Sequence, residues 1–131
     1  MFIDASALVA MVAAEEDAPE LFSRLEKSRT RLTSPLAVWE ASVATARILK
    51  RSPKAAKGEV EGLLSLMEIE VVAVPASTAG EAIEAFERYG KGRHKAGLNF
   101  GDCFAYACAR HFGMPLLYKG SDFAMTDIES A

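Results

Sequence analysis

The chain opens on Met1-Phe2-Ile3-Asp4-Ala5-Ser6-Ala7-Leu8-Val9-Ala10-Met11-Val12. Met1 to Ile3 is a short apolar run that stops at a carboxylate, and the apolar positions beyond it, Ala5, Leu8, Val9 and Val12, fall at helical spacing. The stretch therefore predicts a strand that turns directly into a helix, with an acid at the junction.

The same alternation runs outward through the chain. Asp17 and Glu20 predict a capping box, with Ala18, Leu21, Phe22 and Leu25 on the face behind it. Arg31 to Thr33 predicts a second strand, and Ser34-Pro35 a helix start, with Trp39, Val43 and Ala46 marking the buried stripe. Ser52-Pro53 repeats that signal, so the first of these helices stops near Arg51 and the next runs to Met67, with Val60, Leu63 and Leu64 at core spacing. Ile69 to Val74 is rich in β-branched residues and predicts a buried parallel strand ended by Pro75. Thr78 and Glu81 predict another capping box, with Ala79, Ala82, Ile83 and Phe86 as the apolar face and Gly90 at the close. Asn99 caps a helix from Phe100 to Phe112 that Gly113 stops, and Leu116 to Tyr118 predicts a last strand. Strands alternating with helices throughout predict an α/β sandwich on a parallel sheet.

At 131 residues the chain is expected to form one domain spanning 1–131, and with half its residues hydrophobic and a quarter charged it is expected to fold unaided. A domain of this size leaves apolar surface uncovered, which favours an oligomer or a partner. The net charge of -3 excludes a protein that coats nucleic acid by bulk positive charge. Its distribution is uneven: between Arg24 and Lys57 stand nine basic residues and only Glu26 and Glu40, a balance of +7 that leaves -10 elsewhere. A second basic run, Arg93, His94 and Lys95, lies among Gly90, Gly92 and Gly97, and reads either as a solvated loop or as part of a groove for a polyanion. Cys103 and Cys108 fall about 140° apart on one helix, too divergent to bridge each other, which suits a reducing cytoplasm. The N-terminal apolar run lacks a basic n-region and is too short to cross a membrane.

Four carboxylates occupy positions that the predicted topology brings together. Asp4 ends the first strand, Asp122 follows the last, and Asp102 and Glu40 lie in the first two turns of helices that start over the carboxyl edge of the sheet. Each has a local alternative: helix capping for Asp4 and Asp102, a turn for Asp122, a solvated helix face for Glu40. Converging carboxylates repel and raise one another's pKa unless a cation lies among them, and oxygen-only donors suit Mg²⁺ or Mn²⁺ rather than zinc. Such a cleft beside basic helices is what phosphodiester hydrolysis requires. Ser6, two residues past Asp4, is expected either to support a carboxylate through its hydroxyl or to cap the helix.

Asp4 in Phe-Ile-Asp-Ala-Ser, Glu40 in Trp-Glu, Asp102 in Asn-Phe-Gly-Asp-Cys-Phe-Ala-Tyr-Ala and Asp122 in Lys-Gly-Ser-Asp-Phe together resemble the acidic quartet of PIN-domain nucleases, specifically VapC-type toxins. The resemblance runs almost end to end. It implies a three-layer α/β sandwich whose central parallel sheet of four to five short strands is flanked by helices. The implied activity is a Mg²⁺-dependent endoribonuclease, with Mn²⁺ substituting. It makes Asp4, Glu40, Asp102 and Asp122 catalytic and Asp4, Asp102 and Asp122 metal ligands. Its partners would be RNA, a second copy in a homodimer, and a VapB-type antitoxin covering the acidic cleft. Asp127, close to Asp122, is expected to be structural.

Other classes were weighed on the residues. His94 and His111 suggest metal-free acid/base cleavage, and Cys108 with His111 offers only two zinc ligands on one helix. A phosphoacceptor domain would use Lys119 but needs an acceptor Asp after a central strand, where Ile69 to Val74 leads instead into Pro-Ala-Ser. A non-catalytic binding module would tolerate charge-neutral changes among the acids. No G-x-S-x-G, P-loop or G-x-G-x-x-G motif is present, which removes serine hydrolases, nucleoside triphosphatases and dinucleotide enzymes.

Overall fold

The computed structural model describes all residues, Met1–Ala131. Four strands of two residues each, β1 (Phe2–Ile3), β2 (Leu32–Thr33), β3 (Glu70–Val71) and β4 (Leu116–Leu117), form one sheet in the order β3-β2-β1-β4. Every pairing is parallel, and Phe2 lies opposite both Leu32 and Leu116. The helices between them are α1 (Ala5–Val12), α2 (Ala18–Glu26), α3 (Pro35–Ile48), α4 (Pro53–Leu66), α5 (Thr78–Tyr89) and α6 (Phe100–His111).

Side chains on a strand alternate between faces, so two-residue strands divide their apolar content between two cores. Ile3 and Leu117 face α1, α2 and α4, where they meet Leu8, Leu21, Leu25, Val60 and Leu64. Phe2, Leu32 and Leu116 face α5 and α6, where they meet Ala82, Ala85, Cys103, Tyr106 and Cys108. The result is a three-layer sandwich. Phe2, Ile3, Leu116 and Leu117 are fully buried, and each contributes about 1.5–3 kcal/mol of transfer free energy. Beyond β4, Leu116 donates to the Glu129 carbonyl at 2.8 Å and accepts from Ala131 at 3.0 Å, so the C-terminal residues cover that edge.

The strand order positions the site. From β1 the chain steps outward to β2 and β3, then returns to place β4 on the other side of β1. A crevice opens at the carboxyl ends of β1 and β4, where the connections diverge in opposite directions. Asp4 lies at one lip and Lys119 at the other.

Several local expectations hold. Ser34 and Ser52 cap α3 and α4 by accepting from Ala37 and Ala55, at 3.1 and 3.2 Å. Asn99 and Asp102 form a reciprocal capping box on α6, and Gly113 takes a left-handed φ of 62° after it.

Others fail for identifiable reasons. β3 is not a buried strand: Glu70 and Val71 are exposed on the sheet edge, while the flanking Ile69 and Val72 reach the two cores. Neither predicted capping box forms on α2 or α5. Asp17 has helical backbone angles and turns its carboxylate to Lys119, and the Thr78 hydroxyl donates back to the Pro75 carbonyl at 2.6 Å. On α3 the buried face is Ala37, Ala41, Ser42, Thr45 and Ala46, whereas Trp39 and Val43 point outward. On α5 the buried face is Thr78, Ala82 and Ala85, leaving Ile83 and Phe86 exposed. Where helices pack closely the small residues go inside.

Candidate active site

Asp4 ends β1 and caps α1. Its carboxylate is 3% exposed and accepts from the Ser6 backbone N–H at 2.9 Å and from the Ser6 hydroxyl at 2.5 Å. The Ser6 Oγ in turn accepts from the Lys119 backbone N–H at 3.0 Å, which fixes the start of α1 against the loop leaving β4. Ser6 thus orients the carboxylate and locks the two lips of the crevice. Burial raises the Asp4 pKa in spite of these bonds, because desolvation of the charged form outweighs them.

Asp102 arrives from the first turn of α6. One of its oxygens accepts from the Asn99 N–H at 2.8 Å, and its own N–H donates to the Asn99 side chain at 3.0 Å. Capping and a cleft position coincide in this residue. Burial, followed by the charges of Asp4 and Asp122, pushes its carboxyl up to about 6. Glu40, from the second turn of α3, is pushed up to about 7 by burial and then by the charges of Asp4 and Asp102. Its carboxylate lies against the backbone of Gly101, where a Cβ would collide with both carboxylate oxygens. Gly101 therefore keeps open the space that Glu40 occupies. Three acids from residues 4, 40 and 102 line one cleft of about 550 Å³.

Asp122 takes a different place. It is exposed before a single 3-10 turn, Phe123–Met125, and influences Asp102 through its charge without lining the cleft. No three His, Cys, Asp or Glu side chains stand close enough to enclose one ion between them. The donor chemistry nevertheless fits Mg²⁺, which keeps much of its water and takes only one or two protein carboxylates alongside substrate phosphates. Carboxyls held above their usual range by burial, and for Glu40 and Asp102 also by neighbouring carboxylates, are the complement of a small hard cation.

Lys119 and Arg47 both line the cleft. The Lys119 ammonium is held by Glu15 and, at 3.4 Å, by Asp17, so it forms the rim without neutralising the acids at the floor. Glu15, Lys119, Arg47 and Gly101 were missed. Arg47 stands in the basic stretch, Lys119 follows the last strand, and Gly101 is a glycine inside the first turn of a helix, where it costs helix stability; Glu15 leaves no signal.

The glycine-rich basic loop stands apart. Its His94 Nδ1 accepts from the Ala96 N–H at 3.1 Å, and its ring meets Tyr89 edge-on. Arg93 lies over the Phe86 ring, and neither they nor Lys95 line the cleft. His111 faces Ser77 at 3.5 Å, far from any ligand set, and both cysteines are buried, free thiols raised by burial to about 11. Asp127 accepts from the Tyr106 hydroxyl at 2.6 Å and from Arg88 at 3.0 Å, with Arg110 at 3.7 Å. The Tyr106 hydrogen bond and then Arg88 hold its carboxyl at about 2.

A parallel three-layer sandwich with acids gathered at the crevice between β1 and β4 defines the class of the PIN-type domain. The family model described as PIN domain matches residues 1–129. The chain is 43% identical to VapC ribonuclease Mb0640 of Mycobacterium bovis, over 98% of this chain and 95% of that protein. It is 41% identical to ribonuclease VapC of Mycolicibacterium smegmatis, over 98% and 97%. The crystal structure of VapC20 of Mycobacterium tuberculosis, a sarcin-ricin loop cleaving toxin, superposes with a TM-score of 0.76 over 99% of this chain and 97% of that one. At 19% identity that likeness is one of fold. The chain belongs to the PIN-domain family, among its VapC-type ribonuclease toxins.

Proposed function

We propose that the chain is an endoribonuclease that hydrolyses RNA phosphodiester bonds with Mg²⁺, Mn²⁺ substituting, and that a VapB-type antitoxin silences it. The observation that carries this reading is the meeting of Asp4, Glu40 and Asp102 in one cleft whose two cations, Lys119 and Arg47, form no ion pair with any of them. Asp4 and Asp102, with Asp122 at the margin, are the proposed ligands. The ion, when bound, supplies the positive charge that polarises the scissile phosphate and eases deprotonation of water. Glu40 is the proposed general base, since its carboxylate shares the cleft with Asp4 and Asp102 and enters none of the ion pairs of the molecule. Ser6 holds Asp4 in register, and Gly101 leaves Glu40 its place.

The same reading extends to a homodimer in a reducing cytoplasm, supported by exposed apolar side chains outside α3, such as Leu66 and Phe100, and by two free thiols. No helix is long and apolar enough to cross a membrane. The phosphoacceptor alternative loses support, because Asp4 is buried and the Lys119 ammonium is committed to Glu15 and Asp17.

The test is cleavage of structured and single-stranded RNAs in EDTA, Mg²⁺ or Mn²⁺, with Asp102→Asn as control. Cleavage that needs metal and Asp102 and leaves 5′-phosphate and 3′-hydroxyl ends is expected. Metal-independent cleavage with cyclic phosphate ends would overturn the mechanism in favour of the histidines.

A further inference from the structure

The outer wall of the cleft has no part in the chemistry described so far. On α3, Trp39, Val43 and Arg47 are four residues apart, so they form one ridge with side chains at intervals of roughly 6 Å. Trp39 is 66% exposed, Val43 and Ile48 are also exposed, and all four residues line the same cleft as the acids. The inner face of α3 is already filled by small side chains, so the indole is excluded from the core. Arg47 has no carboxylate partner among the ion pairs of the molecule. Lys50 and Lys54 stand exposed beyond it, around the turn between α3 and α4. The basic stretch from Arg24 to Lys57 thus divides. Arg24 and Arg31 bond to backbone carbonyls of Ala131 and of Leu25, Ser28 and Met67, Arg51 and Lys57 pair with Glu59 and Glu61, and Arg47 lines the cleft, with Lys50 and Lys54 exposed and unpaired beyond it.

We propose that this ridge grips the RNA strand beside the scissile phosphate, an unpaired base stacking on the Trp39 indole and the neighbouring phosphates meeting Arg47, Lys50 and Lys54. The inference rests on the ribonuclease reading and deepens it by naming the residues that select the substrate. An indole face accepts any base, whereas bases stacked within a duplex have no free face to offer. The guanidinium and ammonium groups suit phosphates and would repel a basic segment. Apolar surface followed by unpaired cations, next to acids that themselves repel phosphate, matches a single strand held by one wall and cut at the other. Trp39 is a specificity-determining residue in this reading, adjacent in sequence to Glu40 and separate from it in role.

Trp39 is the only tryptophan of the chain, so its fluorescence reports on this wall alone. The experiment titrates the protein in EDTA with a short single-stranded oligoribonucleotide and with an abasic ribose-phosphate strand of equal length. Steady-state cleavage by Trp39→Ala, Trp39→Phe and, as a remote control, Ile83→Ala is measured beside it. Saturable quenching by the base-bearing strand, at least about tenfold weaker with the abasic strand, is expected. Trp39→Ala should raise KM about tenfold with a smaller change in kcat, Trp39→Phe should restore most of it, and Ile83→Ala should behave as the parent. Equal quenching by both strands, or an unchanged KM in Trp39→Ala while cleavage persists, overturns the ridge and leaves the nuclease reading standing. A Trp39→Ala protein that cuts normally but escapes a protein inhibitor assigns the wall to that partner and likewise overturns it. Base-dependent quenching in a protein that cuts no RNA keeps the ridge and removes the nuclease reading.

Discussion

Two groups of side chains in this molecule are centred on acids, and their environments are opposite. Around Asp127, two guanidinium groups and a tyrosine hydroxyl converge on one carboxylate, and its proton is held only below about pH 2. Around Asp4, Glu40 and Asp102, burial and mutual repulsion leave the carboxyls hard to ionise, Asp102 at about 6 and Glu40 at about 7. Both clusters are assembled from distant parts of the chain, so proximity alone does not distinguish structure from function. Compensation does. An acid whose charge is met within the protein serves the fold, and acids left unmet await something from outside it.

The largest effect should come from the uncompensated cluster. Asp102→Asn should lower RNA cleavage in Mg²⁺ on the order of 10²-fold or more while circular dichroism and melting temperature stay near those of the parent. Wild-type cleavage by a folded Asp102→Asn protein would erase the contrast. Gly101→Ala comes next. Its Cβ displaces the Glu40 carboxylate while the helix itself gains propensity, so cleavage should fall about tenfold or more without loss of thermal stability. A variant of parental activity would show that Glu40 has room elsewhere.

Asp127→Asn should do the reverse, keeping cleavage while losing about 1 kcal/mol of stability, a modest figure because the pair is partly exposed and screened by solvent. Urea unfolding beside the cleavage assay measures both. The smallest effect is in pH dependence. Glu40 and Asp102 are harder to ionise folded than unfolded, so their contribution to stability is present in acid and fades as pH rises through about 6 and about 7. Asp127 is easier to ionise folded, so its contribution is present above the ordinary carboxylate range and is lost as pH falls towards 2. In EDTA, Glu40→Gln should flatten the decline in melting temperature between pH 5 and 8 and raise it by about 3 °C at the upper end. A decline as steep as the parent's would place the proton elsewhere.

How much of this could be read beforehand followed the physics of each signal. Caps at Ser34, Ser52 and Asn99 were legible because one side chain satisfies a backbone group two or three residues away. The crevice was legible because handedness alone carries Asp4, Glu40 and Asp102 to one edge of the sheet. The faces of α3 and α5 were not legible. Periodicity sends large apolar residues inward, while close helix contact here admits Ala, Ser and Thr and leaves Trp39, Val43 and Ile83 outside. Lys119 and Glu15 were invisible as cleft residues, since 104 positions separate them and only tertiary packing pairs them. Asp122 followed its strand as expected, yet its turn leaves the carboxylate exposed beside the cleft rather than within it.

The position of β1 between β2 and β4 has a consequence for how the protein is made. During synthesis β1 emerges first, and β2 and β3 can join it early, but its other neighbour waits for Leu116–Leu117. Until then Ser6 lacks the Lys119 amide and Asp4 has an open flank. Until β4 pairs with β1, the crevice that holds the acids has only one of its two walls. The acid cleft is therefore completed late, by the pairing of Leu116 and Leu117 with Phe2 and Ile3.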